Sequence, residues 1–223
     1  MTQKDEDFTE EMYVGSTHDY MLFLTNQGRV YRLKGYQVPE GSRTAKGSHI
    51  VNLLQLQEGE SVTLMLQQKA DVDEDNTYAT MITKQGLIKR TPLSQFRNIR
   101  KAGLIAIALN EGDSLVWSHL TKGDDEIIVA THDGAAIHFT EDGARSMGRT
   151  GHGVRVIKLR EGDYVVGAGV CRPGATVLTI SEEGKGRRSR IDDYRITKRG
   201  GLGIRNYSNG NVAGIKIVDD TDD

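Results

Sequence analysis

The sequence contains one cysteine, three prolines and few aromatic residues, and each shortage excludes a class of protein. Cys171 alone cannot form an internal disulfide or a thiolate zinc cluster, so we expect a buried structural thiol in a reducing compartment. Three prolines against 26 glycines indicate many tight turns rather than long helices or disordered linkers. No apolar run approaches the roughly 18 residues that span a bilayer, and the N-terminus is acidic where a signal peptide is basic. We therefore expect a cytoplasmic chain without a membrane partner.

The formal net charge of −2 hides an uneven distribution of charge. Four short stretches hold 16 of the 31 acidic residues and only one of the 29 basic ones, which leaves about +13 on the remainder. Distant acids are screened beyond roughly 10 Å at moderate salt, so a local basic surface can still attract phosphates. The acidic stretches are residues 1–11, 71–75, 124–126 and 219–223.

A unit of about fifty residues appears four times, and each copy has three glycine turns in the same order. The first turn follows an apolar strand, the second precedes another apolar strand, and the third leads into a last strand. The first glycines are Gly28, Gly86, Gly134 and Gly184, and the second are Gly47, Gly103, Gly153 and Gly203. The third turns are Glu58–Glu60, Glu111–Asp113, Glu161–Asp163 and Asn209–Asn211.

Short β-rich runs bounded by these turns predict four strands in each copy, and no stretch shows a helical period. Four-stranded units that repeat in this way are typical of propeller blades. We predict an all-β protein, a β-pinwheel or propeller-like array of four-stranded blades, with a plain β-sandwich as the alternative. The predicted organisation is an acidic segment over 1–12 and one repeat domain over 13–223, with repeats at about 13–76, 77–125, 126–175 and 176–218. Residues 67–76 are predicted to be a surface loop inserted in the first repeat.

The sequence offers no recognisable catalytic or metal-binding motif. The acidic run Asp71–Asn76 lacks the glycine and the final glutamate of a calcium loop, and the six histidines show no pair at helical ligand spacing. We therefore expect no catalysis within this chain and no cofactor or metal.

Basic residues recur at two positions of the repeat. Four residues after the first glycine come Arg32, Arg90, His138 and Arg188, with Lys89 and Arg187 just before them. Four residues before the second glycine come Arg43, Arg149 and Arg199, while the shorter second copy has Arg100 and Lys101 nearby. Stacked repeats would align these positions into a curved positive band that can follow a phosphate backbone and bend it. The alternative is that these residues only solubilise and protect exposed strands.

The residues resemble the C-terminal domain of the DNA gyrase A subunit over nearly the whole chain. The likeness lies in Gly28–Arg32, Arg43–Gly47, Lys89–Phe96, Met147–Thr150 and Tyr194–Gly201. The resemblance implies a β-pinwheel with strands exchanged between blades and a basic outer rim that wraps duplex DNA without sequence readout. It also implies two partners, the remainder of the gyrase A subunit plus the B subunit, whose ATP-driven enzyme introduces negative supercoils. The expected DNA contacts are Arg29, Arg32, Arg43, Lys46, Lys89, Arg90, Arg100, Lys101, Arg149, Lys185, Arg187, Arg188, Arg190, Lys198 and Arg199.

The sequence departs from the family pattern in two respects. The family domain has about six repeats and opens with a Gln-Arg-Arg-Gly-Gly-Lys-Gly box, whereas this chain shows four repeats and starts after the place of that box. Lys198–Gly203 resembles the box but has Leu202 in place of lysine. We therefore expect a monomeric fragment of the domain that binds DNA and produces only a weak supercoiling shift. The related topoisomerase IV domain and a protein-interaction propeller are the alternative functions.

Overall fold

The computed structural model describes residues 11–42 and 44–222, and the strands in these ranges form four antiparallel sheets. The described residues contain no α-helix, which confirms the prediction of an all-β fold. The only helical turns among them are five short 3-10 helices at Gly35–Gln37, Ile50–Asn52, Leu93–Phe96, Glu141–Gly143 and Ile191–Asp193.

Each of the first three sheets contains three strands of one repeat and a fourth, two-residue strand from the next repeat. The fourth sheet has three strands in the described residues. The first sheet contains β1 (Tyr20–Thr25), β2 (Arg29–Lys34), β3 (Val62–Gln68) and β6 (Leu104–Ile105). The second contains β4 (Tyr78–Thr83), β5 (Leu87–Pro92), β7 (Leu115–Thr121) and β10 (Val154–Arg155). The third contains β8 (Glu126–Thr131), β9 (Ala135–Thr140), β11 (Val165–Val170) and β14 (Ile204–Arg205), and the fourth β12 (Thr176–Ser181), β13 (Gly186–Arg190) and β15 (Val212–Val218).

The strand order places the exchanged strands at one edge of each of the first three sheets. The orders are β3-β1-β2-β6, β10-β5-β4-β7, β11-β8-β9-β14 and β13-β12-β15. Strands β3, β7, β11 and β15 pack against one another and line a common cavity of about 1040 Å³, so they are the inner strands. The exchanged strands β6, β10 and β14 lie at the opposite edges and form the periphery.

The predicted strand after Gly47 is wrong, because this part of the first repeat forms the 3-10 helix Ile50–Asn52. In the other repeats the equivalent segment pairs with the sheet of the preceding repeat. The described residues offer no preceding sheet to the first repeat, so a two-residue strand has no ladder to join. Leu53 and Leu54 instead pack on Phe23 and Tyr31 and cover the end face of the first sheet.

Glycine at the first turn is required by the approach of the next repeat. Gly134 has φ of +90°, and a Cβ at this residue would lie 2.1 Å from the carbonyl oxygen of Tyr207. The backbone N–H groups of Asn206 and Tyr207 both donate to the Gly134 carbonyl. A Cβ at Gly184 of the fourth repeat would meet nothing within 4 Å, because no following repeat packs on that turn in the described residues.

Hydrophobic residues are buried mainly between neighbouring sheets. One cluster contains Leu24 of the first sheet and Met81 of the second, and another contains Ile88 of the second and Phe139 of the third. A third contains Ile128 of the third sheet and Val177 of the fourth. Each repeat therefore depends on its neighbours for its core, as expected of a repeat array.

The loop after β3 is exposed but anchored to the second repeat. Arg97 Nε lies 2.6 Å from Glu74 Oε2, and Arg97 Nη2 lies 3.2 Å from Asp75 Oδ1. Gln67 and Gln68 of the predicted surface loop belong to β3 instead, and the rest of the loop is fixed at its acidic tip against the second repeat.

Candidate nucleic-acid interface

Three crossing segments connect the 3-10 helices to the outer strands, and they run along the periphery of the array. We define them as residues 97–103, 145–153 and 195–203. Each lies against the preceding repeat: the Met147 N–H donates to the Arg90 carbonyl at 2.9 Å, and the Gly200 N–H donates to the Val156 carbonyl at 2.6 Å. The crossing segments and the outer strands β6, β10 and β14 together form what we call the outer rim.

Several predicted cations lie on the outer rim and are available to a ligand. Arg100, Lys101 and Lys198 are exposed and have no side-chain partner within residues 11–42 and 44–222. Arg149 is partly exposed, and its side chain likewise has no partner there. These four residues belong to the three crossing segments, so the second, third and fourth repeats each present at least one cation. Lys46 of the first repeat is also exposed, and Arg43 lies outside the described residues.

Other predicted cations connect the repeats to each other. Arg199 donates from Nε to the Gly143 carbonyl at 2.7 Å and from Nη1 to the Arg155 carbonyl at 2.9 Å. Arg29 donates to the Ala102 carbonyl and lies 3.7 Å from buried Glu60. Their guanidinium groups already donate to carbonyls within the protein, so phosphate binding by these two residues, which stays a prediction, would compete with these contacts.

Glu60 gives Arg29 a fixed anionic partner. The carboxylate accepts hydrogen bonds from Thr25 Oγ1 at 2.8 Å, Tyr31 Oη at 2.7 Å and the Gln57 N–H at 2.7 Å. Burial raises the pKa of Glu60, but these hydrogen bonds outweigh burial and lower it overall. The third glycine turn of the first repeat is thereby attached to its first hairpin.

In the first three repeats, the residue four positions after the first glycine is a tether to the next repeat. Arg32 donates to the Arg97 carbonyl at 2.6 Å, Arg90 to the Ala144 carbonyl at 2.6 Å, and His138 Nδ1 lies 2.7 Å from the Tyr194 carbonyl. Each acceptor is the C-cap residue that directly follows the 3-10 helix of the next repeat. The sequence aligned these residues correctly. Arg90 is buried, so the prediction that it contacts phosphate directly is wrong, whereas Arg32 is partly exposed and its contact with phosphate stays a prediction.

Arg90 is the most completely enclosed of these tethers. It is 5% exposed, and its Nη1 lies 3.0 Å from Glu141 Oε2, whose residue is fully buried. The Glu141 carboxylate also accepts from Thr121 Oγ1 at 2.6 Å and from the Gly123 N–H at 2.8 Å. A buried ion pair with these additional hydrogen bonds joins the second and third repeats.

Lys89 is also removed from the predicted interface, because its side chain is fully buried. The ammonium group donates to the carbonyls of Ala106 and Arg149. Burial and the positive charge of Arg149 lower the pKa of Lys89 to about 8. The lysine therefore holds a crossing segment from the inside, and phosphate cannot reach it in this fold.

The predicted cations of β13 are exposed, unlike those of β5. Arg187 has no side-chain partner among the residues that the structure describes. Arg188 bonds Thr176 and Asp220 while its side chain is 46% exposed. Arg190 and Lys185 pair only with exposed acids near in sequence, Asp192 at 3.3 Å and Glu183 at 2.9 Å. Such surface pairs are weak and can be exchanged for phosphate.

Sequence reasoning missed four exposed arginines on the outer rim. Arg145 and Arg195 lie eight residues before the second glycine of their repeats, and Arg155 and Arg205 lie two residues after it. Arg155 and Arg205 are the second residues of β10 and β14. All four fall at matching positions of the third and fourth repeats, so alignment on the second glycine could have found them.

No helix in the described part of the chain is long and apolar enough to cross a membrane.

The fold and the outer rim define the class of protein: a strand-exchanged, propeller-like array with cations on its periphery. The chain belongs to the family described as DNA gyrase C-terminal domain, beta-propeller, whose model matches residues 19–68, 78–122, 125–172 and 175–220. It is 42% identical to the DNA gyrase A subunit of Staphylococcus epidermidis over 229 aligned positions, which cover 100% of this chain and 26% of that protein. The DNA gyrase A subunit of Staphylococcus aureus is also 42% identical, and the alignment again covers 100% of this chain and 26% of that protein. The chain thus spans about a quarter of the length of these relatives.

Solved structures share the fold. A DNA gyrase A C-terminal domain superposes with a TM-score of 0.75 at 27% identity, covering 92% of this chain and 67% of that one. The C-terminal domain of DNA topoisomerase IV superposes with a TM-score of 0.82 at 24% identity, covering 92% of this chain and 65% of that one. The predicted β-pinwheel family is confirmed.

Proposed function

We propose that this chain binds duplex DNA along its outer rim, without reading sequence, as a DNA-wrapping part of a gyrase A subunit. The observation that carries the proposal is the recurrence of exposed arginines at matching positions of the rim in the third and fourth repeats, Arg145 with Arg195 and Arg155 with Arg205. A duplex that follows such a rim contacts phosphates at each repeat and releases counterions, which makes the affinity strongly dependent on salt.

The curvature of the array means that bound DNA is bent. Bending a site of 20–30 base pairs by 40–90° costs about 1–6 kcal/mol, which several phosphate contacts can offset. The rim offers arginine and lysine side chains on short loops and two-residue strands rather than an element that enters a groove. Contacts of this kind position the duplex and carry little sequence information.

The test is DNA binding by the intact chain at two salt concentrations with two unrelated duplexes. A variant with Arg145→Ala, Arg155→Ala and Lys198→Ala should bind both duplexes more weakly and to a similar extent. The slope of log affinity against log salt should fall by about 1 for each phosphate that is no longer neutralised. The matched control is Lys122→Ala with Lys216→Ala, which removes exposed lysines of the inner-strand side of the array. Unchanged affinity in the rim variant would overturn the assignment.

The proposal also places the chain in a larger assembly. The remainder of the A subunit, with the B subunit, would supply the ATP-dependent strand passage of the whole topoisomerase, in the cytoplasm. This chain itself would be a monomeric, noncatalytic binding module. Size-exclusion chromatography with light scattering tests the monomer, and the absence of DNA cleavage by the isolated chain tests the lack of catalysis.

A topoisomerase IV-type role is the second candidate, because the C-terminal domain of DNA topoisomerase IV has the same fold. The two roles differ in whether bound DNA is wrapped with a fixed hand. Closed circular plasmid relaxed in the presence of the chain should keep a small change in linking number if DNA is wrapped. Binding without any change in linking number would favour the topoisomerase IV-type role.

A further inference from the structure

The third sheet brings together a glutamate, a histidine and a cysteine that lie far apart in sequence. Glu126 begins β8, His138 lies on β9 and Cys171 directly follows β11. His138 Nε2 lies 2.9 Å from Glu126 Oε2 and 3.7 Å from Cys171 Sγ. The carboxylate oxygen, ring nitrogen and sulfur all lie within 4.8 Å of one another.

The other sheets use the same positions for different contacts, so this trio is not required by the fold. In the first sheet the guanidinium of Arg32 lies 4.3 Å from the centre of the Tyr20 ring. In the second, Arg90 lies 4.7 Å from the centre of the Tyr78 ring. The strand register aligns Glu126 with these tyrosines and His138 with these arginines. The third repeat thus has Glu126 and His138 where the first two repeats have a tyrosine and an arginine, and Cys171 lies beside them.

His138 is oriented as a metal ligand. Its Nδ1 lies 2.7 Å from the Tyr194 carbonyl, which can only accept a hydrogen bond, so Nδ1 carries the proton. Nε2 is therefore the ring nitrogen that faces Glu126 and Cys171, and it is the nitrogen available to ligate a metal. A ligating histidine is typically held by such a bond from its other nitrogen to a carbonyl. The ring is 3% exposed, so its orientation is fixed by packing.

We propose that Glu126, His138 and Cys171 bind one divalent transition-metal ion, with Zn²⁺ as the best match. Zinc combines thiolate, imidazole and carboxylate ligands at about 2.0–2.3 Å, and tetrahedral angles then place the ligand atoms about 3.3–3.6 Å apart. The observed separations of 2.9 and 3.7 Å bracket that range. The Glu126 side chain is 42% exposed, so the ion can enter from solvent and water can complete the fourth position. The thiol proton passes to solvent as the metal–sulfur bond forms.

The test is titration of the chelator-treated full chain with Co²⁺, a spectroscopic substitute for zinc. One equivalent should bind, with the absorption of tetrahedral cobalt and a thiolate-to-cobalt charge-transfer band, and added Zn²⁺ should abolish both. Cys171→Ser should lose the charge-transfer band. Glu126→Gln should weaken binding at least about 10-fold, since loss of even an outer partner of a ligand costs 10–100-fold.

His138→Arg supplies a variant that keeps the tether to the next repeat, because arginine makes that contact in the first two repeats. It should fold, as shown by an unchanged circular dichroism spectrum, and bind no cobalt through sulfur. His152→Gln removes an exposed histidine outside the trio and should bind cobalt like the unmodified chain. The proposal is overturned if the unmodified chain shows no charge-transfer band, or if His138→Arg and Cys171→Ser bind cobalt as well as the unmodified chain does. No DNA is present, so either result leaves the proposed function untouched.

Discussion

Strands β5 and β13 carry basic pairs at the same position of the repeat, yet the structure buries one pair and exposes the other. Lys89 and Arg90 on β5 are 0% and 5% exposed, whereas Arg187 and Arg188 on β13 are exposed. The difference lies in the following repeat. The third repeat adds β10 and a crossing segment over β5, and no equivalent cover lies over β13 in the described residues.

The comparison shows that one sequence position can have two roles. Where a following repeat docks, the cation becomes an internal tether that satisfies carbonyl groups and a buried carboxylate. Where none docks, the same cation remains on the surface and is available to phosphate. Substitutions on β5 should therefore change stability, and substitutions on β13 should change DNA binding.

The largest expected difference is in stability. Arg90→Met should lower the free energy of unfolding by about 3–5 kcal/mol, because it leaves Glu141 charged and buried without its partner. Arg188→Met should change it by less than about 1 kcal/mol, since its pair with Asp220 is exposed. Urea unfolding of both variants measures the two values. Equal effects would show that the following repeat does not determine the role of this position.

Alkaline pH should distinguish Lys89 from Arg187. The pKa of Lys89 is lowered to about 8 in the fold and is about 10.4 when the chain is unfolded. The unfolded chain therefore binds more protons between these values, and stability rises with pH across the window. Relative to Lys89→Met, the unmodified chain should gain up to about 1.4 kcal/mol per pH unit from pH 8 to 10.

Unfolding curves at pH 7, 8, 9 and 10 measure this gain. Arg187→Met is the control and should show a difference from the unmodified chain that is independent of pH, because arginine stays charged. A pH-independent difference for Lys89→Met as well would mean that its ammonium group is not buried.

Substitutions on β13 should weaken DNA binding more than a substitution on β5, which is the reverse of their expected effects on stability. Arg187→Ala with Arg190→Ala should lower the salt slope of binding by up to about 2, because each arginine would neutralise one phosphate. Lys89→Met should leave the slope unchanged in conditions where it remains folded. Fluorescence anisotropy with one duplex over a series of salt concentrations measures both. A larger decrease in slope from Lys89→Met would contradict the burial of that side chain.

The smallest expected effect concerns the junction between the third and fourth repeats. Hydrogen bonding to Asp133 and then to Glu182 raises the pKa of His132, with burial opposing the shift. The stabilisation is thus fully present below the ordinary histidine pKa and is lost as pH rises through the raised value. His132→Gln should cost less than about 1 kcal/mol, more at pH 6 than at pH 8. An equal cost at both pH values would rule out the charged pair as its source.

The sequence predicts the repeat and its turns because these are local features. The turn at Thr25–Gly28 can be recognised from a glycine of positive φ and the strands on either side, although the approach of the next repeat also requires that glycine. The strand exchange follows from the family resemblance, whereas the burial of Lys89 depends on Ala106 and Arg149, which come from two other repeats. The sequence around a basic residue on a short strand does not show whether residues from other repeats bury it. The trio of Glu126, His138 and Cys171 was missed for the same reason, since only the sheet register brings it together.

Each outer strand belongs to one repeat and completes the sheet of the repeat before it, so the sheets can be completed only in the order in which the repeats are synthesised. A ribosome makes the first repeat before the second, so β2 must wait for β6 to emerge before its sheet is complete. The same delay applies to β5 with β10 and to β9 with β14. Each newly made repeat therefore exposes an unfinished edge until its successor arrives, and a nascent chain that stalls between repeats offers that edge to other chains.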